Sequence, residues 1–370
     1  MLAPQTIIEI EIDRLSYDGG RGVGRHEGMV VFIPFSVPGD LLKCEITQVH
    51  SSFCEAKIIE ILKPSAHRMV APCPVFGRCG GCRWQNVKYE EQIRQKEGFI
   101  RYALRDVLAE SAEIKMVNAP QEYRYRNRIQ LHKKRPAVGY YAEGTHDLVA
   151  IDDCPIADLH LKTGIDQLKT GYKDGKYELI YAHDELRIKD LSREGIEFSQ
   201  VNPAQNVNLR HQVMAGLTED DYKYIYDFYC GSGNFTFQLA RAFAKAQIVA
   251  VESNDIAIGR AWEMQHALKH EKLATIHFFS DDVAKFIKNI EPTKKTLMVL
   301  NPPRAGLQNT VVDKILELKP QNLVYVSCNL ATLARDLNKL KSAYEIKRIA
   351  GVDMFPQTEY VECIVHLSLS

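Results

Sequence analysis

Asp227-Phe228-Tyr229-Cys230-Gly231-Ser232-Gly233-Asn234-Phe235 leaves an apolar, aromatic strand (224–229) and enters a helix. Gly231 and Gly233 let the backbone come close to a ligand. The third glycine of a dinucleotide fingerprint is missing, which disfavours a nicotinamide dehydrogenase. Outward from this turn the chain repeats strand then helix. Further strands are expected at 248–252, 275–279, 296–300 and 323–326, with helices between them. Two last strands, 344–352 and 360–366, follow without a long helix. The order predicts an α/β fold: a doubly wound sheet with at least one antiparallel strand at its end.

Acids stand at the ends of these strands. Glu252 can bind both hydroxyls of a ribose. Asp282 can hold an adenine amino group, with Asp281 as close rival; either could instead cap a helix. Leu323-Val324-Tyr325-Val326-Ser327-Cys328-Asn329 ends a buried-type run on a thiol, and 330–340 then reads as a helix. Cys328 could be a small buried apolar residue or, at a strand end facing a crevice, a nucleophile.

With 370 residues there is room for two or three domains. Formal net charge is zero, so a nucleic-acid surface, if present, is local. Residues 1–10 lack the basic-then-apolar order of a signal peptide, and no apolar run is long enough to cross a bilayer. Nine cysteines, three of them within 73–82, favour a reducing, cytoplasmic setting and a metal or catalytic use of thiolates.

Residues 1–64 read as short strands (7–12, 29–34, 41–49, 56–62) around a glycine-rich turn at 17–25, which suggests a small barrel. RNA contact there would rest on Arg21, Arg25 and backbone amides. Cys73, Cys79 and Cys82 are spaced C-x5-C-x2-C, and Cys154, beside Pro155, is the best fourth donor. Spacing alone leaves zinc and an iron–sulfur cluster both open. A helix is expected at 89–108. Residues 121–135 then hold six Lys/Arg against one acid, with two tyrosines. Alternation predicts a strand over 123–131 with Arg124, Arg126 and Arg128 on one face, a ridge suited to single-stranded or looped RNA.

Several of these stretches together resemble one family. Asp13 to Arg25 is similar to a TRAM domain, an RNA-binding β-barrel. Cys73 to Gln85 (Cys-x5-Cys-Gly-Gly-Cys-x-x-Gln), with the distant Cys154-Pro155, resembles the [4Fe–4S] motif of the RNA uracil-5-methyltransferases. Ser327 to Asp336 resembles the catalytic motif of that family, and Asp353 to Glu362 its closing motif. The resemblance spans essentially the whole chain. It implies a class I S-adenosylmethionine-dependent methyltransferase domain at 207–370, an N-terminal TRAM barrel at 1–64, and an iron–sulfur segment with a central α+β RNA-binding domain at 65–206. It implies S-adenosylmethionine contacts at Gln200, Tyr229, Gly231, Asn234, Glu252, Asp282 and Asn301. It further implies a cluster on Cys73, Cys79, Cys82 and Cys154, nucleophile Cys328 and base Glu362.

Carbon 5 of uracil is too weak a nucleophile to take a methyl group unaided. A thiolate adding to carbon 6 turns the ring into an enolate, and a base must then remove the carbon-5 proton. Barrel and cluster together point to ribosomal RNA ahead of transfer RNA, acted on by a monomer. The chain departs from the family at Asn301 (usually Asp), Leu330 (usually Pro) and Gln357 (usually His). Asn301-Pro302-Pro303 also resembles enzymes that methylate exocyclic amines, although Arg304 stands where those carry an aromatic residue. A catalytically inactive RNA binder is the other alternative.

Overall fold

The structure, a computed structural model, describes residues 2–194, 200–217, 222–291, 293 and 295–370. Its contacts divide the chain into two units. The first comprises Met1–Lys96, Ala119–Ala204 and Met354–Tyr360; the second comprises Glu97–Asn118, Gln205–Asp353 and Val361–Ser370.

The second unit is built on one eight-stranded sheet. Its order is Thr275–Ser280, Gln247–Glu252, Tyr224–Phe228, Thr296–Leu300, Asn322–Ser327, Glu362–Leu369, Tyr344–Val352, Lys115–Val117. The first five strands are parallel; Glu362–Leu369 runs antiparallel to both its neighbours. Thr296–Leu300 is buried at every residue, as a central strand covered on both faces must be. From Tyr224–Phe228 the chain adds strands first to one side and then to the other. The carboxyl ends of Tyr224–Phe228 and Thr296–Leu300 therefore flank the crevice of the sheet. The short Lys115–Val117 strand was not expected. It pairs parallel to the end of Tyr344–Val352, and a Cβ on Gly351 would lie 2.5 Å from the Met116 sulfur.

Helix Leu330–Leu340 starts where its cap dictates. The Asn329 side chain accepts hydrogen bonds from the backbone amides of Ala331 and Thr332. Its buried Asp336 then anchors the loop after Thr296–Leu300. Asp336 accepts from Leu307 N (2.8 Å), Tyr325 Oη (2.7 Å) and Arg335 Nε (2.8 Å).

The first unit holds two sheets. A six-stranded sheet has the order Ile7–Glu11, Leu41–Val49, Phe53–Lys63, Met29–Ile33, Gly22–His26, Arg14–Leu15. The glycine stretch expected as a turn is a turn only as far as Gly20. Gly22–His26 is a strand, and Gly24 is needed there because a Cβ would lie 2.4 Å from the Glu11 carbonyl. Arg21 pairs with Glu55 at 2.9 Å and lies over Phe32, whereas Arg25 is exposed.

The second sheet of that unit is antiparallel: Leu148–Ala150, Ala137–Tyr141, Arg128–Lys134, Gly175–Ala182, Glu185–Asp190. Helix Leu161–Gly171 covers one face, over Ile129, Leu131, Val138 and Leu179. The expected ridge of Arg124, Arg126 and Arg128 does not exist. The strand begins only at Arg128, and Arg124 sits at φ +59°. Arg124 is bidentate on Asp153 (2.9 and 2.6 Å). Arg126 lies 5.6 Å from the Phe355 ring centroid, and Arg128 is half-buried, 3.8 Å from Glu178. Alternation puts three side chains on one face only while the backbone stays extended. The helix expected at 89–108 is Tyr89–Ala103.

Replacing Asp336 by alanine would strand the Leu307 amide and the Tyr325 hydroxyl. A loss of about 3 kcal/mol is expected from a urea titration. A change below about 1 kcal/mol, the level of an exposed pair, would show that the carboxylate does not anchor this loop.

Candidate active site

Two clusters of side chains meet at the carboxyl edge of the eight-stranded sheet. The first surrounds the turn after Tyr224–Phe228. Tyr229, Gly231 and Gly233 all have positive φ (+61°, +56° and +90°). The Gly231 amide donates to Glu252 Oε2 at 3.2 Å, and Glu252 Oε1 accepts from the Asn254 amide at 2.9 Å. A Cβ on Gly231 would meet nothing within 4 Å, so the turn presents bare backbone to open space. The Tyr229 hydroxyl is pushed up to about 12 by burial and then by the charges of Asp282, Asp336 and Glu252. Asp282 also caps the short helix Val283–Phe286 through the Lys285 amide (3.0 Å), so both uses proposed for it coexist; its rival Asp281 donates its amide to the Glu252 carbonyl.

Asn234 exchanges side-chain hydrogen bonds with Asn206 (2.9 and 3.0 Å), and the Asn301 amide donates to the Phe228 carbonyl at 3.2 Å. Below the turn, Asp227 is fully buried and pushed up to about 7; one oxygen accepts from Thr236 Oγ1, while Oδ1 has no hydrogen-bond partner among the described residues. Gln200 belongs to the other unit, half-buried beside Val201. An open glycine turn with carboxylates at the next two strand ends fits an adenosine with a charged tail.

The second cluster joins Cys328, Glu362 and Arg304. Cys328 is half-buried between its strand and the Asn329 cap. Burial and the nearby Glu362 carboxylate push its thiol up, while Arg304, donating to the sulfur, pulls it down. Glu362 opens the last strand one residue before the Ser327–Cys363 pair. Burial pushes Glu362 up to about 7 against the pull of Arg304. Arg304 was missed as a site residue. Its signal was its place directly after the Pro302-Pro303 pair at a strand end. The helix Leu330–Leu340 fixes it: Asn329 Nδ2 (2.9 Å) and Thr332 Oγ1 (3.2 Å) both donate to the Arg304 carbonyl.

In the first unit, Cys73, Cys79, Cys82 and Cys154 line one cavity with Gln85, Arg126 and Tyr140. Tyr140 Oη donates to Cys154 Sγ at 3.9 Å, and the Cys73 amide donates to Gln85 Oε1 at 3.2 Å. Burial, reinforced by the neighbouring thiols, pushes Cys79 up to about 11 and Cys82 to about 12. Among the described residues, no three His, Cys, Asp or Glu are grouped to hold a single metal ion.

Residues 176–370 match the model of the family described as tRNA (Uracil-5-)-methyltransferase. The chain belongs to that family. Residues 5–59 match the TRAM domain. An uncharacterized RNA methyltransferase of Bdellovibrio bacteriovorus is 36% identical over 97% of this chain and 94% of its own. A Pectobacterium atrosepticum protein named 23S rRNA (uracil(1939)-C(5))-methyltransferase RlmD is 30% identical, over 93% of this chain and 90% of its own. Among solved structures, the Pyrococcus abyssi tRNA (uracil-54, C5)-methyltransferase in complex with S-adenosyl-L-homocysteine shares the fold. It has a TM-score of 0.75, 23% identity, and coverage of 97% of this chain and 100% of that one.

The chain is thus an S-adenosylmethionine-dependent RNA methyltransferase acting at carbon 5 of uridine, which decides against the amine-methylating alternative. In this methyltransferase, Gly231→Ala tests the open turn. An L-residue at φ +56° costs about 1–2 kcal/mol, so melting should shift little. S-adenosylhomocysteine affinity should fall at least about tenfold; unchanged affinity by calorimetry would remove the turn from the cofactor site.

Proposed function

We propose that this methyltransferase modifies a specific uridine of 23S rRNA, with Cys328 as nucleophile and Glu362 as base. The grouping of Cys328, Glu362 and Arg304 carries the proposal. Uridine methylation at carbon 5 needs a thiolate, a base and a cation near one ring, and these three side chains supply them. S-adenosylmethionine supplies an electrophilic methyl group. The Cys328 thiolate bonds to carbon 6, and the electron pair of the 5,6-double bond shifts toward carbon 4 as that of the carbonyl moves onto its oxygen. Carbon 5 then takes the methyl group, and the electron pair of the broken sulfur–methyl bond stays with S-adenosylhomocysteine, the leaving group. Glu362 accepts the proton from carbon 5, and re-forming the double bond expels the Cys328 thiolate. Arg304 steadies that thiolate and keeps it beside Glu362. The target base must leave its stack to reach them.

The ribosomal substrate is supported by the relative of that name, which matches through 93% of this chain; transfer RNA is the rival. Cysteine, base and open turn lie in one chain, in keeping with a monomer. Nine free thiols suit the reducing cytoplasm.

A [4Fe–4S] cluster on Cys73, Cys79, Cys82 and Cys154 belongs to the same proposal. The four cysteines line one shared cavity, and Arg126 in its lining lowers Cys82 and Cys154, as the thiolate ligands of a cluster require. Held there, a cluster would tie the 73–82 loop to the Cys154 turn. Anaerobically purified protein is expected to be brown, with iron and labile sulfide in equal amounts. Colourless protein with one zinc per chain would sink this assignment.

On 5-fluorouridine-substituted 23S and transfer RNA, a covalent adduct should persist on a denaturing gel, because fluorine cannot leave as a proton. The adduct should form with 23S RNA and vanish in Cys328→Ala; an adduct in that variant would exclude the thiol. Glu362→Gln should trap adduct on ordinary RNA. Turnover should fall as pH drops through about 7, since a carboxyl held that high is protonated below it and accepts nothing. A flat profile between pH 6 and 8 would remove Glu362 as the base.

A further inference from the structure

The cationic ridge expected on the second sheet of the first unit is absent, but the same strand carries another cationic surface. Along Arg128–Lys134, Ile129, Leu131 and Lys133 turn into the core and their neighbours face the other way. Lys133 ends its course there, donating to the Lys169 carbonyl at 2.8 Å near the end of the covering helix. On the outer face, His132 stacks on Tyr141 with ring centroids 3.9 Å apart and planes 20° apart. His146 meets the Tyr141 ring edge-on at 5.4 Å, and Lys134 Nζ lies 5.1 Å from its centroid. Lys176 stands opposite His132 across the strand pair. Burial and the charges of Lys176, Lys134 and His146 all hold the His132 imidazole below its ordinary pKa.

Asp147, beside His146, is an exposed acid at the rim, and three other nearby acids are engaged elsewhere. Asp174 pairs with Arg135 (3.2 Å), Glu143 with Arg83 (2.6 Å), and Glu178 accepts from Gln130 (3.1 Å). Among the described residues, neither Lys134 nor Lys176 has a carboxylate within ion-pair distance. Two stacked rings bordered by unneutralised cations complement a nucleobase followed by its phosphates. The platform is also pinned from behind. The Gly80 amide donates to the Tyr141 carbonyl at 3.1 Å, and Ala142 bridges to Cys79. A Cβ on Gly80 would press on that carbonyl at 3.1 Å, so the cysteine loop needs its glycine to hold the strand end in place.

We propose that the outer sheet face around His132, Lys134, Tyr141, His146 and Lys176 docks an unpaired stretch of the RNA substrate. A base extends the His132–Tyr141 stack, and its phosphates lie against Lys134 and Lys176. The inference rests on the reading of this protein as an RNA methyltransferase, and it gives the cysteine loop a role in RNA binding outside the chemistry.

The test uses the full chain and a fluorescent oligouridylate, read by anisotropy over a salt series. Tyr141→Ala should weaken binding about tenfold and leave the salt slope as it was; Tyr141→Phe should bind nearly as wild type. Lys134→Ala with Lys176→Ala should lower the slope of log affinity against log salt by about 0.7 per lysine. S-adenosylhomocysteine affinity reports on folding; if Tyr141→Ala loses it, the lysine pair decides. Wild-type affinity and slope in the variants, with 5-methyluridine still formed by the wild-type enzyme, would overturn the platform and leave the function standing. Weakened binding in the variants, with no 5-methyluridine formed by the wild type, would keep the platform and sink the function.

Discussion

Antiparallel pairing between Asn322–Ser327 and Glu362–Leu369 is the constraint on which the candidate active site depends. In a parallel sheet all strands end on the same side, and two residues at one edge must both follow their strands. Reversing the last strand lets its first residue share that edge. Ser327 lies opposite Cys363, so Cys328, just past the end of one strand, comes beside Glu362, which opens the other. The cysteine keeps the exposure that a strand terminus allows. The glutamate, the first residue of its strand and paired with Val352 on its other side, is buried. Its raised pKa follows from that depth.

Burial alone would leave an unfavourable pair, since an ionised Glu362 repels a thiolate. Arg304 offsets this by lowering both. It is a loop residue, and loops hold side chains only as well as they are held themselves. Here the helix that follows Cys328 does the holding. Asn329 and Thr332 bond the Arg304 carbonyl, Arg335 bonds those of Ala305 and Leu307, and Asp336 bonds the Leu307 amide. One helix therefore fixes the sulfur's own cap and the loop bearing its counter-charge.

The sheet of the second unit was legible because its central strands are short, mostly apolar runs ended by polar residues, and Tyr344–Val352 becomes apolar over its second half. Thr296–Leu300 and Tyr344–Val352 fall where they were expected. Lys115–Val117 was not legible. Three residues carry no period, and their strand exists because Gly351 leaves room for Met116. Gly22–His26 was hidden for a related reason: its glycines serve a close approach between strands, which the sequence does not distinguish from a turn. The arginines at 124, 126 and 128 misled because alternation was assumed across a residue in the left-handed conformation. Charge density located the right part of the chain; the exposed Lys134, six residues past Arg128, stands on the outer face of that strand.

Composition could not say which of nine cysteines are chemical, and the cations explain why. Cys44 and Cys54 are raised by burial alone. Cys230 and Cys363 are raised further by neighbouring carboxylates, and among the described residues no guanidinium lowers them. These four behave as small apolar residues. Cys328 has Arg304 beside it, and Cys82 and Cys154 have Arg126. A thiolate in a buried site needs a compensating charge, and the chain provides one at each of the two places where the proposed chemistry calls for sulfur anions. The arginine that the sequence offered for RNA is spent on the cysteine cavity, while the proline-pair arginine, which argued against amine chemistry, stands at the nucleophile.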